Sequence, residues 1–385
     1  MENCKEIFTR ANIVARDSKI RLVDSDLETG LDLFCYTSCD NSEDDFIKQC
    51  RGLVFNGETL VLKAFPYTSE YNHEDKKYKD LITNFSDWNF YPSYEGALLR
   101  LFYFKNRWFL STHKKLNAFK SKWGSTRSFG ELFTLSLEKH LKNNPDFENH
   151  LGEGSDILSR FTEKLDKNKQ YMFLVRNFSY NRIVCRAPLE NETNIFHVGT
   201  FQNEKLDMEN RDTGLPFPEK ISISNFEDID NWIKNCDPAC YQGLICLGPN
   251  NVQIKILQTN YVDMFNLRGN EPSLKFRYLQ VRNNETLKQS FLFLYPEMYN
   301  EFADYEKTIN NIGVVILRSY IQRFIKKYFT TVPVEEYQVV KECHSWHLLD
   351  PLNNKIHLNK VMEILNKQPA TNLNRMIRRF KNEQQ

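Results

Sequence analysis

The 385-residue sequence predicts an α+β fold in two parts, a strand-rich α+β domain over residues 1–284 and a basic all-α domain over residues 285–385. Three observations carry the prediction. The length suits about two domains of ~100–200 residues each. Short β-rich apolar runs bounded by Gly, Pro and Asn recur through the first part. After Asn284 such runs largely give way to helical spacing.

The elements follow in order. ARDSKIRLVD and LDLFCYTS read as strands, and CRGLVFNGETLVLKAF reads as a hairpin turning at Asn56-Gly57. Residues 78–90 read as a short helix or loop. GALLRLFYFKNRWFLSTHKK is a second hairpin, with β-rich arms around Lys105-Asn106. FGELFTLSLEKHL and DILSRFTEKLD space their apolar residues as helices do. YMFLVRN, RIVCRA, NIFHVGTF, YQGLICLG and NVQIKIL are strands, the last two joined at Gly248-Pro249-Asn250. ISNFEDIDNWIKNC is a helix with Ser224 or Asn225 at its N-cap. SFLFLYPEMYNEFADYEKTINNI, GVVILRSYIQRFIKKYF, HLNKVMEILNKQ and NLNRMIRRFKN make the helical part.

The chain is 41% apolar and 26% charged, the balance of a globular protein, and no run approaches the ~18 apolar residues of a membrane helix. MENCKEIFTR has no apolar h-region, so no secretory signal and a cytoplasmic location are expected. Nine irregularly spread cysteines argue against a disulfide framework. Cys35/Cys39 and Cys236/Cys240 have loose metal-ligand spacing but no histidine beside them, and free thiols are the preferred reading over zinc. The net charge is only +1, yet it is segregated. Residues 24–47 are acidic. Between Ser93 and Arg127 eight Lys/Arg face the single acid Glu95, and the last 75 residues carry twelve Lys/Arg against six acids. Such blocks point to a polyanionic partner, with a solvated basic face as the alternative. Helical metalloprotease, P-loop, Rossmann and nucleophile-elbow motifs do not occur.

The order of strand-borne polar residues is more informative. Arg51-Gly52 precedes an apolar hairpin, and Glu95-Gly96 opens the basic one. Asn181-Arg182 follows YMFLVRN, Gln242-Gly243 opens a strand, and Lys255 lies in the next, with Arg268-Gly269 and Arg277 beyond. From about residue 40 to 282 this series resembles the nucleotidyltransferase domain of phage-type RNA ligases, relatives of DNA ligases and capping enzymes. It is most similar to the divergent version of large DNA viruses. The resemblance implies antiparallel sheets with flanking helices, and ATP or GTP with magnesium as the ligands of a functional pocket. CRGLVF matches a family segment whose arginine holds the nucleotide or its phosphates. Asn181 and Arg182 match an Asn-Arg-Ile-Val motif, and Lys255 matches a phosphate-contacting lysine. Nucleotide contacts are therefore implied for Arg51, Gly52, Glu95, Asn181, Arg182, Gln242 and Lys255. Ser111–Ser125 falls where ligases face their substrate, which implies RNA contacts for Arg100, His113, Lys114, Lys115, Lys120, Lys122 and Trp123. Packing of Phe119 and Trp123 into the core, with the lysines in water, is the alternative for that segment.

Three departures fall on the chemistry. Ser93 stands where the family has its nucleophilic lysine, next to the surviving Glu95 and Gly96. No glutamate stands near Leu174, and Gln242 replaces an acid that positions the metal. The resemblance thus implies a catalytically degenerate protein that still binds RNA or a nucleotide, and no metal ligand is assigned. An active nucleotidyltransferase with a displaced lysine, Lys63, Lys114 or Lys115, is one alternative. A structural or interaction protein of a large DNA virus is the other. Glu95-Gly96 also reads as an ordinary turn with glycine at positive φ.

Overall fold

In a computed structural model, which describes residues 8–16 and 18–383, the chain is α+β and divides into two compact units, Met1–Phe265 and Asn266–Gln385. The first residues, read above for a leader, lie outside the described residues. The sequence placed the division after residue 284. The structure puts it earlier, within the helix Thr259–Arg268, because Tyr278, Leu279 and Val281 of the helix Leu274–Val281 belong to cores of the second unit.

The first unit holds three sheets. β1 (Ile20–Asp26), β2 (Leu31–Tyr36), β3 (Leu53–Asn56) and β4 (Thr59–Leu62) form an antiparallel sheet in that order. The remaining strands are β5 (Ser69–Asn72), β6 (Asn89–Ser93), β7 (Gly96–Phe104), β8 (Arg107–Ser111), β9 (Gln170–Arg176), β10 (Ile195–Gln202), β11 (Lys205–Asp207), β12 (Gly243–Leu247) and β13 (Gln253–Leu257). They make an antiparallel sheet β11-β10-β9-β7-β8 and a sheet β5-β13-β12-β6, in which only the β5–β13 pair is parallel. Both predicted hairpins form. The β7–β8 turn is Lys105-Asn106 with both φ positive, at 43° and 65°, as two-residue hairpin turns of the primed type require. The helix Phe129–Asn143 starts in a capping box in which Ser128 and Glu131 satisfy each other's backbone N–H groups. With the helix Ile157–Glu163 it packs Phe133 and Phe161 on Leu99 and Phe173 of the central strands.

RIVCRA is not a strand. The backbone N–H groups of Ile183, Val184 and Cys185 donate to the Glu95 carboxylate at 2.8, 2.9 and 3.2 Å, so no ladder has them. In the second unit the helices are Leu274–Val281, Glu285–Leu294, Tyr299–Tyr320, Val334–Leu349, Leu358–Asn366 and Ala370–Asn382. The run SFLFLYPEMYN is divided by Pro296, which cannot donate within a helix. Ile309, Ile312, Ile316, Val339, Val340, Leu365 and Met376 form this unit's main core. Among the described residues no helix is long and apolar enough to cross a membrane.

Candidate functional site

In β6, β12 and β13 alternate residues face opposite sides, as the period of two requires. Phe90, Leu244, Cys246, Ile254 and Ile256 enter a core on one side. Tyr91, Ser93, Ile245, Gln253 and Lys255 line a cleft on the other. Tyr91, Ile245, Lys255 and Glu70 are consecutive partners in one row across that sheet. Leu98, Leu174 and Val198, from β7, β9 and β10, supply an apolar wall. The cleft has a volume of about 200 Å³ and lies wholly within the first unit.

Of the residues singled out in the sequence, Arg51, Ser93, Gly96, Leu174, Gln242 and Lys255 meet here. Arg51 and Lys255 are the cations of the lining, which contains no carboxylate. Arg51 donates from Nη1 to the Pro66 carbonyl at 3.3 Å and pairs with no carboxylate among the described residues. Lys255 Nζ is held by Glu70 at 2.7 Å. Ser93 is 3% exposed, and its hydroxyl donates to Gln242 Oε1 at 3.0 Å. Gln242 Nε2 donates to the Tyr261 hydroxyl at 2.7 Å, and that hydroxyl donates to Glu95 at 3.3 Å. Burial, with the Glu95 carboxylate beside it, pushes the Tyr261 phenol far up, so it stays protonated. Ser93, Gln242 and Tyr261 thus form a chain of hydrogen bonds that ends on the Glu95 carboxylate.

Glu95 is a correction. It is buried and does not line the cleft. Asn177, Tyr261 and three backbone N–H groups occupy its oxygens, so it anchors segment 183–185 to the head of β7. Gly96 is a correction of another kind. Its φ is not positive. A Cβ would meet the Val175 carbonyl of β9, so close strand approach demands the glycine. Asn181 is buried and accepts from the Phe178 N–H at 2.7 Å, and Arg182 donates to the Val184 carbonyl at 3.3 Å. Neither side chain lines the cleft. Arg268 and Arg277 belong to the second unit.

The predicted RNA face divides. Arg100 is 2% exposed, too buried to meet a polymer. It donates to the Gly52 carbonyl and, at 2.6 Å, to that of Thr112. Gly52 itself sits at φ 74°, with Arg100 and His113 where a Cβ would stand. His113 is half-buried. Burial, with Arg51, Arg100 and Lys114 close by, lowers it to about 3. Lys115 pairs with Asp24 at 3.3 Å, and Arg107 pairs with Asp26 and, at 2.8 Å, with Glu28. The acidic block thus neutralises part of the basic one. Lys114, Lys120 and Lys122 are exposed, and Trp123 is half-buried. None of Lys63, Lys114 and Lys115 lines the cleft. Lys63 stands 4.8 Å from the Phe8 ring centroid and lines a different cavity. The eight described cysteines are free thiols, and no cluster of metal-ligating side chains occurs among the described residues. Sequence reading missed Glu70 and Tyr261. Glu70 meets Lys255 across 185 positions and Tyr261 meets Glu95 across 166, so no local pattern marks these contacts.

No family model matches the chain. Among solved structures it is similar to a putative ATP-dependent DNA ligase from Aquifex aeolicus, at 13% identity and TM-score 0.39, covering 86% of each chain. It is also similar to an archaeal ATP-dependent RNA ligase, at 10% identity and TM-score 0.41, covering 76% of this chain and 70% of that one. Among sequences, it is 28% identical over 363 residues to the immediate-early protein ICP-46 homolog of Invertebrate iridescent virus 3, covering 89% of this chain and 75% of the relative. It is 30% identical over 340 residues to the homolog of Invertebrate iridescent virus 6, covering 82% of this chain and 71% of the relative. The chain therefore belongs to the family of the ICP-46 homologues.

Proposed function

We propose that the first unit is an RNA-ligase-like nucleotidyltransferase domain turned binding module, one that holds the phosphates of ATP, GTP or RNA without forming a nucleotidyl-lysine. One observation carries this reading. Ser93, Leu174 and Gln242, the three positions where the resemblance calls for catalytic groups, line the same cleft as the cations Arg51 and Lys255. Arg51 offers a planar fork for phosphate oxygens. The wall of Leu98, Leu174 and Val198 is apolar enough for the face of a base. Magnesium does not fit this lining. A hard divalent ion takes carboxylate oxygens, and the cleft lining presents none. The exposed lysines 114, 120 and 122 would follow an RNA backbone leaving the site.

The test is incubation with labelled ATP or GTP and magnesium or manganese, followed by denaturing electrophoresis, beside equilibrium binding of the same nucleotides. The expected outcome is reversible binding with no covalent band. Arg51→Ala is expected to weaken binding by roughly 10- to 100-fold, the size of a charge-assisted hydrogen bond. A covalently labelled protein would overturn the reading in favour of a displaced lysine.

A further inference from the structure

The long helix Tyr299–Tyr320 of the second unit continues into a π-helical turn, Ile321–Ile325, and stops in an unusual way. The Lys326 N–H reaches back to the Ile321 carbonyl at 2.9 Å, and the Tyr328 N–H to that of Gln322 at 2.9 Å. Between them Lys327 sits at φ 56°, the left-handed position that closes a helix and usually falls to glycine. The reversal leaves Ile325, Tyr328 and Phe329 exposed, at 63%, 64% and 91%, with Lys326 and Lys327 exposed beside them. Arg323 fixes the stretch that follows. Its guanidinium lies 4.7 Å from the Tyr337 ring centroid and donates to the Thr330 carbonyl at 3.4 Å.

The charge on this knob is uncompensated. Among the described residues no carboxylate pairs with Lys326 or Lys327. The next acids in the chain, Glu335 and Glu336, are tied to Arg375 and Arg379. Two presented aromatic faces beside two free ammonium groups are the elements of a stacking platform for single-stranded nucleic acid. A lipid surface fits less well. The apolar stripe of the preceding helix, Ile309, Ile312, Ile316 and Tyr320, is buried in the unit's core, so no amphipathic face is left to lie in a membrane. We propose that residues 325–329 are a binding site for single-stranded RNA or DNA, in which Tyr328 and Phe329 stack on bases and Lys326 and Lys327 hold the adjoining phosphates. The site is independent of whether the cleft of the first unit holds a nucleotide.

The experiment is fluorescence anisotropy of the full chain with a labelled 20-nucleotide oligouridylate across a salt series. The variants are Tyr328→Ala/Phe329→Ala, Lys326→Gln/Lys327→Gln and the cleft variant Arg51→Ala. The aromatic pair is expected to weaken affinity by roughly 10-fold or more. The lysine pair is expected to reduce the slope of log affinity against log salt by about 1.4, two phosphates' worth on a single strand. Arg51→Ala should leave the response to these changes intact, whatever the nucleotide assays show, which separates the two sites. All four altered side chains are solvent-facing, and an unchanged thermal midpoint confirms the fold. Wild-type affinity and salt slope in both pairs would overturn the proposal. So would binding to vesicles of phosphatidylcholine and phosphatidylserine, lost in the same variants, without binding to the oligonucleotide.

Discussion

Glu95 shows how a single side chain is misread from its neighbours. Its place before Gly96 suggested a group facing a ligand, but its carboxylate accepts from three successive backbone N–H groups, from Asn177 and from Tyr261. Five donors converge on one anion, and a neutral isostere cannot serve them. In Glu95→Gln one oxygen becomes an NH₂ that faces N–H groups. The variant is expected to lose about 3 kcal/mol of first-unit stability, because a charged acceptor is removed and buried donors are orphaned. A urea titration followed by tryptophan fluorescence measures it, and an unchanged midpoint would assign Glu95 a role other than anchor. Arg51, Ser93, Gln242 and Lys255 were legible in the sequence because each falls in a motif of the resemblance, Ser93 and Lys255 within strands and Arg51 and Gln242 just ahead of β3 and β12. Glu70 and Tyr261 were not, because only strand pairing and folding of the Thr259–Arg268 helix bring them to the site.

At the scale of elements, turn chemistry was the most legible signal. Lys105-Asn106 occupies the reversal that its sequence called for, and the β3–β4 reversal falls one residue after the predicted Asn56-Gly57, at Gly57-Glu58, because Asn56 stays in β3 and pairs with Thr59. RIVCRA failed because its apolar alternation is satisfied in a segment whose N–H groups go to a distant carboxylate. The helix Val334–Leu349 was not read at all. It buries Val339, Val340 and Cys343 but carries Leu348 and Leu349 exposed, so its apolar residues mark no single face. The end of the helix at Lys327 breaks a local rule in another way, since a left-handed residue with a side chain costs about 1–2 kcal/mol. Lys327→Gly should relieve that strain. It is expected to stabilise the second unit by about 1 kcal/mol in urea while lowering the salt slope of RNA binding by about 0.7, one phosphate contact. Greater stability with undiminished RNA binding would leave Lys327 without a ligand role.

Across the whole molecule, charge segregation in the sequence is partly cancelled by folding. Asp24, Asp26 and Glu28 meet Lys115 and Arg107, so part of the basic block is neutralised, while Lys114, Lys120 and Lys122 stay exposed. Burial of two histidines makes the unit acid-sensitive. His113 is lowered from 6.5 to about 3 by burial and by Arg51, Arg100 and Lys114, and His197 is lowered to about 4, chiefly by burial. Both are neutral in the folded state at pH 5 but protonated in the unfolded chain, so the unfolded state binds more protons and stability falls as pH drops below 6.5. Each fully shifted histidine contributes about 2 kcal/mol to that loss between pH 6.5 and 5, an upper bound for the half-buried His113. Four of the five tryptophans, Trp88, Trp108, Trp123 and Trp232, report on the first unit, whereas helical circular dichroism is weighted towards the second. Between pH 7 and pH 5 the fluorescence midpoint in urea is therefore expected to fall more than the helical one. His113→Asn combined with His197→Asn should flatten the fluorescence profile even if it lowers stability at pH 7. Parallel acid profiles for the two probes, unaltered in the double variant, would mean that the carboxylates and not these buried imidazoles govern acid unfolding.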